Sequence, residues 1–156
     1  MAIKCTTPLS KIQEYMNREL EKTDRVVIRN LQRLGEQAVI YARNRSGAES
    51  WYDQTGNLRS SVGYVIALDG KIVRTGGFSQ ILDGAEGTEE GKQFAKEMAA
   101  SSSGRYVLIV VAGMNYASYV EEMENKDVLA SSALFVEREL PKMIQRIEKQ
   151  INRTKE

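Results

Sequence analysis

Between Leu9 and Arg45 the apolar residues Leu9, Ile12, Met16, Leu20, Val27, Leu31, Leu34, Ala38 and Tyr41 recur at steps of three, four or seven. That spacing winds a single apolar stripe along a helix, so the chain opens with one long amphipathic element. Pro8 and Ser10 suit its start, Ser46-Gly47 suit its end, and Thr23-Asp24 mark a break or a fresh cap inside it. A helix with one apolar face must bury that face against another layer.

The rest of the pattern supplies that layer. Residues 48–57 read as a loop, and Asn57 is placed to cap a short turn through Leu58-Arg59-Ser60-Ser61. Val62, Tyr64, Ile66 and Leu68 then alternate with smaller residues as a strand does, Asp69-Gly70 is a hairpin signal, and Ile72-Val73 begins the return. Gly76 to Gly104 is rich in Gly, Ser and Glu and reads as a mobile loop holding a short helix over Glu89–Ala100. The β-branched run Tyr106–Ala112 reads as a buried central strand. Asn115–Met123 follows as a short helix and Val128-Leu129 as a short edge strand. A final helix runs from about Ser132 to Ile151, with Pro141 kinking it near Glu137. The fold expected is α+β in one domain over residues 1–156. It has a flexible N-terminus (1–8), a long N-terminal helix, an antiparallel sheet with a hairpin, and a C-terminal helix on the sheet.

Composition removes whole classes of function. There is no histidine, which takes away the commonest general acid–base, the commonest zinc ligand and the Ser–His and Cys–His nucleophile pairs together. Cys5 is the single cysteine, so no intrachain disulfide forms and nothing points to an oxidising compartment. No signal-peptide stretch is read at the N-terminus, and the longest apolar run falls far short of the ~20 residues of a membrane span. The expectation is a protein made in a reducing cytoplasm, with no membrane contact. Lys and Arg total 22 against 21 Asp and Glu, a formal net charge of +1. That balance argues against duplex nucleic acid as the main partner, since such affinity comes from neutralising phosphates.

Candidate chemistry is correspondingly thin. Gly87-Thr88-Glu89-Glu90-Gly91-Lys92-Gln93 has glycines one residue too close for a phosphate-binding loop, and Gln93 stands where a hydroxyl would hold magnesium. It reads as a solvated acidic loop entering a helix. Asp83, Glu86, Glu89 and Glu90 lack the alternating carboxylates of a calcium loop, and Glu121, Glu122 and Glu124 read as a solvated face. No serine sits in a nucleophile elbow. No catalytic residue, cofactor site or metal site is assigned, and an enzyme would need a bound metal or cofactor. A basic stripe stands out instead: Arg18, Lys22, Arg25, Arg29 and Arg33 line one face of the first helix. Glu14 and Glu21 can pair with Arg18 and Arg25, whereas Arg29 and Arg33 have no carboxylate four residues earlier and could meet an acidic partner or DNA.

Two segments resemble a family of small tail-component proteins of long-tailed bacteriophages, also described as neck, head–tail joining or tail-completion proteins. Thr55-Gly56-Asn57-Leu58-Arg59-Ser60-Ser61-Val62 is similar to the family's Thr-Gly-x-Leu-Arg-x-Ser-hydrophobic stretch before the first strand. Tyr116-Ala117-Ser118-Tyr119-Val120-Glu121 resembles its Tyr-Ala-x-Tyr-Val-Glu segment after the central strand. The order of elements agrees over most of the chain, with about a dozen positions matching closely. The chain departs from the family where Glu122-Met123-Glu124-Asn125 and Ser131-Ser132 replace an apolar residue, Gly-Thr and Pro-Phe.

The motif residues Gly56, Leu58, Arg59, Tyr116, Tyr119 and Glu121 read as scaffold, with Arg59 and Glu121 as a candidate buried ion pair. The resemblance implies a non-catalytic structural protein of a phage or prophage virion. Its place is the head–tail junction or tail, after a period in the host cytoplasm. Its implied partners are head–tail connector and tail proteins, and copies of itself in a ring around the DNA channel. The alternative is a small nucleic-acid-binding module that uses the basic stripe.

Overall fold

The computed structural model describes residues 6–44, 55–115, 117–118, 122 and 128–153. Helix α1 spans Leu9–Arg43 and ends with the Asn44 N–H bonded to the Ile40 carbonyl. The Thr23-Asp24 pair does not interrupt it. Thr23 turns its hydroxyl back to the Glu19 carbonyl, and the Asp24 carboxylate takes the Arg105 guanidinium at 2.9 Å and the Tyr106 hydroxyl at 2.5 Å. Residues that look like a helix break in sequence therefore tie the helix to the sheet. The Ser46-Gly47 stop signal, Trp51 and Tyr52 lie outside the described residues.

Downstream come α2 (Asn57–Ser60), β1 (Val62–Leu68), β2 (Lys71–Gly77), α3 (Ala85–Ser101), β3 (Tyr106–Ala112) and α4 (Ala130–Arg153). This is the α+β class that the periodicities imply. Asp69 and Gly70 join β1 to β2 with φ of 48° and 77°, the paired positive values that a two-residue hairpin of matching twist requires. The sheet is antiparallel with the order β2-β1-β3.

That order corrects the reading of Tyr106–Ala112 as the central strand. β3 is an edge, and the central strand is β1, buried at every position from Val62 to Ala67. The apolar run in β3 reports something else, namely helices on both faces of the sheet. Val62, Tyr64, Ile66, Leu108 and Val110 belong to the larger core with α1, while Val65, Ile109 and Val111 pack with Ala95 and Ala99 of α3. A strand covered on both sides has no polar alternation to show, whether it lies at the centre or the edge.

Both helical layers approach β1 closely through small residues. A Cβ on Gly35 of α1 would stand 2.7 Å from the Tyr64 ring, so the ring packs directly on the helix backbone. On the opposite face α3 buries Gly87, Gly91, Ala95 and Ala99, a stripe at i+4 spacing. The segment 76–104 thus holds a 17-residue helix starting at Ala85, longer than the short one expected from Glu89. Small side chains carry almost no hydrophobic signal, so the packing face of α3 was not visible as a periodicity.

The C-terminal helix α4 runs antiparallel to α1. Ser132 Oγ donates to the Ala38 carbonyl at 2.9 Å near one end, and Asn30 Nδ2 donates to Gln150 Oε1 at 3.0 Å near the other. Tyr41 and Phe135 stack with centroids 5.2 Å apart, and Met143 is buried in the same core. Its main contact is therefore α1, and not the sheet directly as expected. Pro141 lies inside α4, which is helical on both sides of it. Val128-Leu129, expected as an edge strand, is a bend leading into α4, with Val128 buried. Of the helix expected over Asn115–Met123, Ala117, Ser118 and Glu122 are helical and the rest is not described, save Met114-Asn115 at its entry.

Gly91 offers a sharp test of the close approach. A Cβ there would meet the Ser61 carbonyl oxygen at 2.4 Å and the Ser61 Cα at 2.8 Å, both of them backbone atoms. At an open helix site Gly→Ala gains ~1 kcal/mol. Here overpacking of ~1–3 kcal/mol should win, so Gly91→Ala is expected to lower the denaturant midpoint at unchanged slope.

Candidate functional surfaces

The segment Thr55–Val62 is a structural junction. Gly56 takes φ 77° and packs so tightly on the Ile81 carbonyl that no side chain fits. Leu58, Ser60 and Ser61 are buried to about 1% exposure or less. Ser60 Oγ accepts the Ile81 N–H at 2.8 Å, Ser61 Oγ donates to the Leu58 carbonyl at 2.8 Å, and the Ser61 carbonyl accepts the Gly113 N–H at 3.3 Å. One short turn therefore binds the loop before α3, the start of β1 and the end of β3.

Asn57 does not cap its own turn as expected. It is the first residue of α2, and its side chain crosses to α3, where Oδ1 accepts the Gly87 N–H at 3.2 Å and Nδ2 donates to Glu86 at 3.2 Å. Helix α3 thus receives its N-terminal cap from a distant segment. Gly87 and Gly91 of the phosphate-loop-like run lie inside α3 against the Asn57 and Ser61 carbonyl oxygens, so neither opens onto a cradle. Arg43, at the end of α1, donates to the Val62 carbonyl at 2.8 Å, and burial pushes its pKa down. Arg59 is half-buried beside this junction. Tyr116, Tyr119 and Glu121 lie outside the described residues, and with them the candidate Arg59–Glu121 pair.

The basic stripe divides in two. Arg18 pairs with Glu14 at 3.0 Å and Lys22 with Glu19 at 2.7 Å, while Arg25 turns its Nε to the Glu21 carbonyl, not to the carboxylate. Arg29 and Arg33 are exposed and make no ion pair among the described residues. Two exposed guanidinium groups one turn apart can meet anionic groups on a partner, although two alone make a modest field.

A larger feature is apolar. Every residue of α1 from Leu9 to Arg18 is exposed, because α4 ends beside residues 23–30 and nothing described covers what projects beyond. Leu9 (77% exposed), Ile12, Tyr15 (63%), Met16 (58%) and Leu20 remain open to solvent. Tyr15, Met16, Leu20, Val26 and Ile151 line a groove of about 580 Å³ where the last turn of α4 meets this arm. Leu9, Ile12, Met16 and Leu20 belong to the apolar stripe that the spacing draws along this helix. Periodicity establishes that a face is apolar and says nothing of which part of it the chain itself covers.

No described helix is long and apolar enough to cross a membrane. No family model, curated protein or solved structure matches the chain.

The trans-cap can be checked directly. Asn57→Ala should destabilise the protein by ~1 kcal/mol, the usual magnitude for losing an N-cap acceptor, whereas Asn57→Asp combined with Glu86→Gln keeps the acceptor without facing two carboxylates and should restore most of it. Chemical denaturation of the three proteins reads the difference.

Proposed function

We infer that the chain is a structural virion protein of a phage or prophage, acting in head–tail joining or tail completion without a catalytic step. What carries the reading is the resemblance of Thr55–Val62 and Tyr116–Glu121, in the order and context described, to the small tail-component family. Two physical features support it. The first of these motifs is spent on internal scaffolding, as suits a protein whose task is shape, and the exposed apolar arm of α1 offers a surface for assembly contacts. A ring around a DNA channel needs heterologous contacts that close, and an arm reaching beyond its own core is suited to make them. Other connector and tail proteins are then its neighbours, and DNA passes through the assembly.

Immunogold electron microscopy of particles released on induction of the source strain tests this reading. Label at the head–tail junction or along the tail is expected. Label confined to soluble cell material, with intact particles bare, would overturn it.

A second reading, a nucleic-acid-binding module, rests on Arg29 and Arg33, which are exposed and make no ion pair among the described residues. It requires binding to random duplex DNA that weakens with salt and drops when both are changed to Ala. The near-neutral net charge leads us to expect weak binding, with a salt slope corresponding to about two phosphates at most.

A further inference from the structure

The outer edge of β3 carries a run of backbone groups with no hydrogen-bond partner among the described residues. The two ends of the β1–β3 ladder fix which groups these are. The Asp69 N–H donates to the Arg105 carbonyl at 2.8 Å, and the Gly113 N–H donates to the Ser61 carbonyl at 3.3 Å. Between those ends the register is continuous from Val62↔Ala112 to Leu68↔Tyr106. In an antiparallel ladder successive residues turn their N–H and C=O groups alternately to the neighbour and away from it. Val107, Ile109 and Val111 therefore face β1, while Tyr106, Leu108, Val110 and Ala112 face outward. Among the described residues no hydrogen bond reaches those outward groups.

Edge strands are commonly guarded by charge, proline or a bulge. β2, the other edge, carries Lys71 and Arg74, and the β1–β2 register shifts between Ile66 and Ala67. β3 reads Tyr-Val-Leu-Ile-Val-Val-Ala, with no charge, no proline and no shift in its register. Tyr106 to Val110 are half-exposed, while Val111 and Ala112 are buried. On the α3 side Phe94 and Met98, each 38% exposed, stand with Ile109 and Val111 around a groove of about 260 Å³, which Ala117, Ser118, Val128 and Leu129 also line at the buried end of the strand.

We propose that this edge pairs with the same edge of a second copy of the chain, across a two-fold axis at Leu108. A second copy brings an identical uncharged and unguarded run, and the register is then set by the exposed window. Tyr106, Leu108 and Val110 are the outward-facing residues within it, and they are symmetric about Leu108. An antiparallel second copy sets Tyr106 against Val110, Leu108 against Leu108 and Val110 against Tyr106. Each such pair exchanges two backbone bonds, about six in all. The second copy's Val107 then falls opposite Ile109, on the side where Phe94 and Met98 stand. Pairing with a neighbour's β2 would instead bring Lys71 and Arg74 toward an uncharged edge.

Five paired residues span only ~17 Å. The contact is thus smaller than the ~800 Å² per partner of a standard stable interface. The dimer is reversible, with dissociation in the micromolar range or weaker. This contact is separate from the α1 arm and does not depend on the virion reading.

Sedimentation velocity on the purified full chain, from ~1 μM to ~1 mM, combined with residue-resolved amide hydrogen exchange, tests it. The expected result is a concentration-dependent dimer in which the Tyr106, Leu108 and Val110 amides become protected. The Val107 and Ile109 amides, already bonded to β1, should be protected at every concentration. Val107→Lys, which gives β3 the kind of guard β2 has, is expected to leave a folded monomer throughout. A wild-type chain that stays monomeric would overturn the proposal. So would a dimer whose Tyr106, Leu108 and Val110 amides still exchange as in dilute monomer, since that dimer is joined elsewhere. The wild-type exchange pattern decides the matter even if the variant fails to fold.

Discussion

The core of this molecule is arranged around one strand that is buried along almost its whole length. β1 is buried from Val62 to Ala67, flanked in its plane by β2 and β3 and covered on its faces by α1 and α3. Four neighbours at once leave room for little but small contacts, and the glycines meet that demand. Gly35 lets α1 down onto the Tyr64 ring, and Gly91 lets α3 down onto Ser61. Helical glycine weakens a helix locally, by up to ~1 kcal/mol against alanine. At these positions the close packing that it permits outweighs that loss.

The long elements were legible in the sequence because each declares itself through its own periodicity. Leu9–Arg43 and the C-terminal helix show the 3.6-residue repeat, and Val62–Leu68 with Asp69-Gly70 shows a strand and its turn. What stayed hidden depends on partners distant in the chain. Strand order is one case, since β1 and β3 are both apolar and only the sheet decides which is central. The packing face of α3 is another, being built from Gly and Ala. Asp24 is a third: beside Thr23 it imitates a local cap, yet its carboxylate is committed to Arg105 and Tyr106, more than eighty residues later. The same limit governs the candidate surfaces. The basic stripe could be drawn from spacing alone, but which of its members stay unpaired depends on rotamers that spacing does not fix.

The described residues of the first motif and the exposed surfaces fall in separate parts of the molecule. Gly56, Leu58 and the two serines after Arg59 are consumed in holding β1, β3 and α3 together. The features left facing outward are the basic pair on α1, the apolar arm and the β3 edge. A chain organised in this way keeps its recognisable sequence for its own architecture, and a match on such a motif speaks first to shape. Binding chemistry is carried by residues with weaker signatures.

Helix α1 joins these two parts in a single element about 52 Å long at ~1.5 Å per residue. Its second half is fixed by the core, so the unfavourable nucleation step that makes a free peptide of this size a marginal helix has already been completed there. The exposed first half only propagates a ladder that exists. It can therefore remain ordered without a packing partner, and whatever docks on Leu9, Ile12 or Met16 meets a surface whose backbone entropy was surrendered during folding.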